Sequence, residues 1–383
     1  MNTKEIGEIR RRVRRDRSNI TTIYGCFVNG QKEIVSEFRQ SVGMMPENES
    51  EKYFAMLKKV LSGGIGKNLI DISFRTSQVA DSAEHKLLMS LRSDCLKEES
   101  VRTSFYEKVI SSVSLEDNYV ILLANDSYDV PFKSKDDTLQ QDASSEVYRY
   151  IICAICPVKD AKPCLSYDAA QKEFHDGGIV QVMSAPELGF VFPAFDNRSA
   201  NIYGALYYTH SPKENHQAFA DAIFNVGIPK PAQEQKKSFE VLLGASLDDS
   251  CSMEVVQTVH EQLRECIAMH KESKVPEPLL ISKELVKDAL AACAVPEKNI
   301  AKFSVEYDEV FGTDAELHPK NIINENRLEI ITPDVSIKVN PERSDLIETR
   351  VIGGVKYIMI CADETVEVNG VPIQISDKET TLV

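Results

Sequence analysis

Ile20-Thr-Thr-Ile-Tyr-Gly-Cys-Phe-Val28, then Asn29-Gly30, then Ile34-Val-Ser-Glu-Phe38 is the stretch on which the fold turns. Both flanking runs carry β-branched and aromatic residues at strand length. Asn-Gly between them favours a type I′ turn, because both central residues of that turn need positive φ. Strands joined so closely pair antiparallel. Outward from this hairpin, residues 3–14 read as a short helix with Ile6, Ile9 and Val13 on one face. On the other side come a helix over 50–61 that stops at Gly63-Gly64, a strand at Leu69–Phe74 and two helices over about 81–94 and 98–113. The apolar run Tyr119-Val-Ile-Leu-Leu-Ala124 follows as a strand.

The polar stretch Ser134–Ser145 lacks apolar periodicity and reads as a linker or long loop. Strands are predicted at Val147–Ile155, Gly189–Phe195 and Asn201–Tyr208, and a helix near Glu214–Phe224. Gly227-Ile-Pro-Lys-Pro-Ala-Gln-Glu-Gln-Lys-Lys237 combines proline with charge, as a domain boundary does. Beyond it, Val256, Val259, Leu263 and Ile267 form one stripe at helical spacing, and Leu285, Val286, Ala289 and Leu290 another. From about 326 the pattern is β again, with Gly353-Gly354 and Asn369-Gly370 as hairpin turns. The chain therefore reads as a multi-domain α+β protein with mixed or antiparallel sheets, a helical segment and a C-terminal β-hairpin region. Its expected parts are 1–133, 146–226, 238–312 and 318–383. At 383 residues it exceeds what one hydrophobic core organises.

Composition narrows the class. Apolar residues make up 43% and charged residues 27%, as in ordinary globular proteins. No apolar run is long enough to cross a bilayer, and membrane partners are not expected. The first residues are charged (Lys4, Glu5, Glu8) and no apolar segment follows, which predicts a cytoplasmic protein without a secretory signal. Nine cysteines, an odd number scattered from Cys26 to Cys361, read as buried thiols of a reducing compartment. The net charge of −15 is uneven: residues 1–17 carry +4, leaving −19 for the remainder. So acidic a body disfavours indiscriminate binding of nucleic acid or anionic lipid.

Several motifs fail on inspection. Ser62-Gly-Gly-Ile-Gly-Lys-Asn68 resembles a phosphate loop, but Leu61 stands where the first glycine belongs and Asn68 where Ser or Thr would hold the metal. His260-Glu261-Gln-Leu-Arg264 begins like a zinc helix and then places a cation at the second ligand position. Cys153-Ala-Ile-Cys156, with Cys164 and His175, has the residue types of a zinc site. Residues three apart on a strand point to opposite faces, however, so joint chelation needs a turn there, and no metal is expected. Ser282–Phe311 has the outline of a helix-turn-helix, but its second helix carries a net −2 and would be repelled by DNA. A helical hairpin serving the core is the expectation. No cofactor motif is present.

Polar clusters at strand ends are the candidates for acid–base chemistry: Asp126 with Asp129, Glu173-Phe-His175-Asp176, and Asp196-Asn-Arg198. Such residues also make turns. The sharpest catalytic expectation places His175, Asp176, Asp196 and Arg198 in one pocket, with His175 as the acid–base group because its reference pKa lies near neutrality.

Arg10, Arg11, Arg12, Arg14, Arg15 and Arg17 occupy six of eight successive positions. Guanidinium groups bind phosphates bidentately, which points to RNA or a ribonucleoprotein. The same charges can pair with the acidic body, or meet an acidic surface of another protein in an assembly. Glu5-Ile-Gly-Glu-Ile-Arg-Arg-Arg12, Gly25-Cys-Phe-Val-Asn29, Asn125-Asp-Ser-Tyr-Asp-Val-Pro131, Pro186-Glu-Leu-Gly-Phe-Val-Phe-Pro-Ala-Phe-Asp-Asn-Arg198 and Lys338-Val-Asn-Pro-Glu-Arg-Ser-Asp-Leu346 together resemble a family of Clostridia and related bacteria known as a domain of unknown function. Arg15 departs from that pattern, standing where a proline would end the first helix. The resemblance implies a bacterial, intracellular protein and transfers no functional residue. Three readings follow: a non-enzymatic binding protein using the arginine arm, a hydrolase or transferase around His175, and an assembly subunit. Oligomeric state is not legible in the sequence.

Overall fold

The computed structural model describes the chain except residues 134–138, 162–164, 177, 179, 213, 215, 228–231, 274, 276, 314, 326, 363–365, 369–370 and 374–383, and the side chains of 132–133, 139–146, 168, 232–233 and 320. It divides into two units, Met1–Glu234 with Lys274–Pro278, and Gln235–Ser273 with Leu279–Val383. The chain first passes from one to the other inside the proline- and charge-rich stretch 227–237.

The first unit begins with α1 (Thr3–Arg12), β1 (Thr22–Val28), β2 (Ile34–Ser41), α2 (Glu47–Lys59), β3 (Leu69–Ser73), α3 (Thr76–Asp81), α4 (Ala83–Ser93) and α5 (Glu99–Ser112). A long hairpin follows, β4 (Tyr119–Lys133) and β5 (Leu139–Asp160). Then come β6 (Leu165–Asp168), β7 (Glu173–Asp176), β8 (Gln181–Met183), β9 (Leu188–Phe192), β10 (Ala194–Asp196), β11 (Ser199–Asn201), β12 (Gly204–Thr209) and α6 (Gln217–Phe224). The main sheet has the order β2-β1-β4-β5-β9-β12-β3, with β8 added on β5, and every pairing is antiparallel.

This sheet is covered on both faces. Ile121, Leu123, Ile151, Cys153, Phe190 and Tyr207 face α4, α5 and α6, which contribute Leu88, Leu91, Phe105, Tyr106, Phe219 and Phe224. Their neighbours Leu122, Ala124, Ile152, Ala154, Cys156 and Val191 face the other way, against Ile6, Ile9 and Val13 at α1 and Phe54 and Leu57 of α2. Period-two alternation sends successive side chains into two separate cores, so a strand buried on both sides reads as an unbroken apolar run. The run Tyr119–Ala124 does so.

Three expectations need correction. Ser134–Ser145 does not separate two domains, since β4 and β5 pair from Tyr119↔Pro157 to Lys133↔Leu139 and strands from 1–133 and 146–226 share one sheet. The hairpin at Asn29 forms, but not through a two-residue turn. Val28 pairs with Ile34, positive φ falls on Lys32, and the Asn29 side chain accepts from Gln31 N and Glu33 N. Gly30 is needed for space instead, as a Cβ there would lie 2.7 Å from the Glu116 carbonyl oxygen. Finally, Asp126 and Asp129 lie within β4 and not beyond its end.

The second unit contains α7 (Ala232–Leu247), α8 (Met253–Ser273), α9 (Lys283–Ala292), α10 (Glu297–Phe311) and α11 (Pro319–Ile322) around Phe239, Leu243, Val259, Leu263, Leu290, Phe303 and Tyr307. The helices over 282–311 do serve this core, with Phe303 and Tyr307 of α10 buried and Lys283 paired to Asp308 at 2.7 Å. Three separate hairpins follow: β13 (Leu328–Ile331) with β14 (Ser336–Val339), β15 (Ile347–Ile352) with β16 (Val355–Ile360), and β17 (Val366–Val368) with β18 (Val371–Ile373). Gly353 and Gly354, both at positive φ, make the β15–β16 turn as expected. Asn369-Gly370 lies outside the described residues. Among the described residues no helix is long and apolar enough to cross a membrane.

Candidate nucleic-acid interface

The arginine-rich segment begins on a helix that its own sequence starts well. Asn2 caps α1 by accepting from Lys4 N and Glu5 N, while the Glu5 carboxylate accepts from Asn2 N at 2.7 Å. Glu5 also accepts from Asn197 N at 2.8 Å, and burial raises its pKa against the opposing pull of these backbone donors. Ile6, Ile9 and Val13 enter the core, so the helix is held by apolar packing on one face.

Its charged side is held as firmly. Arg12 Nε donates to Asp126 Oδ2 at 3.0 Å, and Nη2 donates to the Ser127 carbonyl at 2.9 Å. The guanidinium sits 4.6 Å from the centre of the Tyr128 ring. Asp126, whose side chain is fully buried, also accepts from Asn19 N and from the Tyr150 hydroxyl. Burial first, and then the Asp126 charge, pushes the Tyr150 hydroxyl well above its ordinary pKa, so it stays a donor. Glu8 accepts from the Tyr128 hydroxyl at 2.7 Å and from Arg198 at 2.5 Å, and Arg198 also donates to the Pro131 carbonyl. Arg12 is therefore part of the protein's own scaffold, and the expectation that it contacts nucleic acid is corrected.

The other five arginines are exposed. Arg14 and Arg17 share the exposed Asp16 at 3.5 and 3.8 Å, and Arg15 donates to Ser50 Oγ at 3.3 Å. Exposed pairs of this kind contribute little and exchange readily with other anions. Arg10 and Arg11 have no carboxylate partner among the described residues.

A cavity of about 480 Å³ opens at the same end of β1 and β4, on the opposite face of the sheet. Asn125 lines it while the next residue, Asp126, holds Arg12, as strand alternation requires. Its walls also include Thr21, Thr22, Arg39, Lys97 and Arg102. Arg39 and Arg102 lie 5.8 and 4.5 Å from the Tyr24 ring, and Arg102 is steadied by the Leu96 carbonyl at 2.7 Å. Among the described residues no acidic side chain lines the cavity; Glu37, two residues before Arg39 on β2, is the nearest along that strand. Three cations with two hydroxyls and an amide are a donor set suited to phosphate oxygens. Sequence reading missed this group because its members come from β1, β2, β4 and the α4–α5 region, with no local pattern to mark them.

The remaining expected sites do not assemble. His175 and Asp176 lie on the exposed β6–β7 hairpin, beyond the Asp160 end of β5. Asp196 and Arg198 lie at the β10–β11 turn beside α1, where Arg198 contacts Pro131 near the other end of the same ladder. From Tyr148 to Asp160 the strand covers roughly 40 Å, at about 3.3 Å per residue. Cys153 and Cys156 both lie in β5 but belong to different cores, on opposite faces. Burial raises both thiols, Cys156 to about 12. They cannot share a metal ion with each other, and Cys164 lies outside the described residues.

No curated protein and no solved structure matches the chain. A family model does match, over residues 1–371. The chain thus belongs to the family described as Domain of unknown function (DUF4317).

Proposed function

We propose that this is a cytoplasmic RNA-binding protein, holding phosphates with Arg10, Arg11, Arg14, Arg15 and Arg17 and with the cavity of Arg39, Lys97 and Arg102. One observation carries the reading: an anchored helix and the turn that follows it present five exposed arginines at the sheet end where a cation-lined cavity opens. The anchoring lowers the ordering cost of binding, because α1 and its exit are fixed before a partner arrives. The acidic charge of the remaining chain confines a polyanion to this end.

The test is titration of a labelled single-stranded RNA across a salt series. Arg12 is kept in every variant, and the arm is not deleted, since deletion would strip Ile6, Ile9 and Val13 from the core. Wild-type affinity should fall with salt at a logarithmic slope of about −3 to −4, as expected for roughly five phosphates on a single strand. Replacing the five exposed arginines by alanine should remove most of that slope, leaving about one, and R39A/K97A should reduce the wild-type slope by about one. Equal binding by wild type and the five-alanine variant, or no binding by wild type at low salt, would overturn the proposal.

A further inference from the structure

We propose that Glu187, Glu214 and His216 form a binding site for a divalent transition-metal ion of the zinc class, separate from the RNA-binding surface. Glu187 lies on the loop before β9, and Glu214 and His216 on the loop from β12 to α6. The two loops are tied together by a hydrogen bond from His210 N to the Glu187 carbonyl at 2.8 Å. One ligand atom from each of the three side chains falls within 4.8 Å of the others, and His216 Nε2 is 3.8 Å from Glu214. Ligands around a tetrahedral zinc stand about 3.3–3.5 Å apart, given metal–ligand bonds of about 2.0–2.2 Å. A contraction of at most about 1.5 Å completes the set. The Glu214 side chain, 65% exposed, can turn to provide it.

Two buried polar atoms at this place lack partners. His216 Nε2 is out of contact with solvent and makes no hydrogen bond. The Tyr207 hydroxyl is likewise orphaned on a residue only 1% exposed, and Glu187 is the charge that acts on it. Tyr207 is fixed there by stacking on Phe219 of α6 at 6.0 Å. Unsatisfied buried groups are costly, and an ion with a bound water offers the imidazole a bond and the phenol a neighbour. The amino end of α6 disfavours a cation. Two carboxylates offset this and match a charge of +2. Three protein ligands leave one position of a tetrahedral ion open to water or a small anion.

The test uses the full chain after chelator treatment, titrated with Zn²⁺ by calorimetry and with Co²⁺ by absorption. One ion per chain should bind, equally in wild type and in C251S/C361S, which removes the two thiols exposed among the described residues. The Co²⁺ complex should lack the thiolate charge-transfer bands of a cysteine site. E187Q and H216Q should each weaken binding at least about tenfold while far-UV circular dichroism stays unchanged. Should H216Q unfold, E214Q carries the test from an exposed position. Absence of stoichiometric binding, loss of binding in C251S/C361S, or full binding by E187Q and E214Q would overturn the site.

Discussion

At the scale of single residues, the arginine cluster shows what one sequence can and cannot reveal. Six arginines in eight positions are conspicuous, yet nothing local says that Arg12 differs from its neighbours. Its partner Asp126 is 114 positions away, and only the folded sheet brings the two together. Asp126→Asn removes the counter-charge and leaves a guanidinium that is 15% exposed without its ion pair. We expect this to cost about 3 kcal/mol in urea unfolding, with R12L/D126N less destabilised than D126N alone. His260 makes a second test. Burial, aided by Arg264 and Lys236, lowers its pKa to about 4, whereas an unfolded histidine titrates near 6.5. Above that value both states are neutral and the group contributes nothing. Between about 6.5 and 4 only the unfolded chain takes up the proton, so stability should fall with pH, by on the order of 2 kcal/mol at pH 5. H260Q should flatten this part of the profile of urea midpoint against pH.

Among elements, periodicity was a dependable guide and local stop signals were not. Hairpins around residues 29 and 353, and helices such as α1, α5 and α10, follow from the spacing of apolar residues. The length of β4 does not, because Asp126, Ser127, Asp129 and Pro131 look like the end of a strand. They remain in the ladder because Arg12, Asn19 and Tyr150 satisfy the polar side of Asp126, and because the register shifts beside Pro131. The β4–β5 hairpin therefore passed for a linker. Glycine, too, matters for reach as much as for φ. In β9, a Cβ on Gly189 would stand 2.5 Å from the Cys153 carbonyl oxygen and 2.7 Å from Val60. Gly189→Ala should cost about 1–3 kcal/mol in thermal or urea unfolding, more than alanine at Gly244, where nothing lies within 4 Å.

For the whole molecule, fold class and the arginine half of the proposed surface were legible, and the cavity half was not. An α+β chain with antiparallel sheets follows from the hairpin patterns, whereas the cavity of Arg39, Lys97 and Arg102 depends on long-range strand order. Among the described residues the cores of the two units share no member: Phe303 and Tyr307 belong to the helical one, and the residues proposed to bind RNA lie on the first unit. Phe303→Ala should therefore remove about 3–5 kcal/mol from the second unit in chemical unfolding, and leave the salt slope for RNA unchanged. A changed slope would mean that the second unit takes part in binding.

The opposed placement of Cys153 and Cys156 has a practical use. Two thiols only three positions apart on one strand are sealed in different layers, one beneath α5 and the other on the side of α1 and α2. A single peptide thus carries a separate timer for each half of the sandwich. Under pulsed alkylation during unfolding, the order in which the two sulfurs are modified reads out which layer of helices lifts from the sheet first.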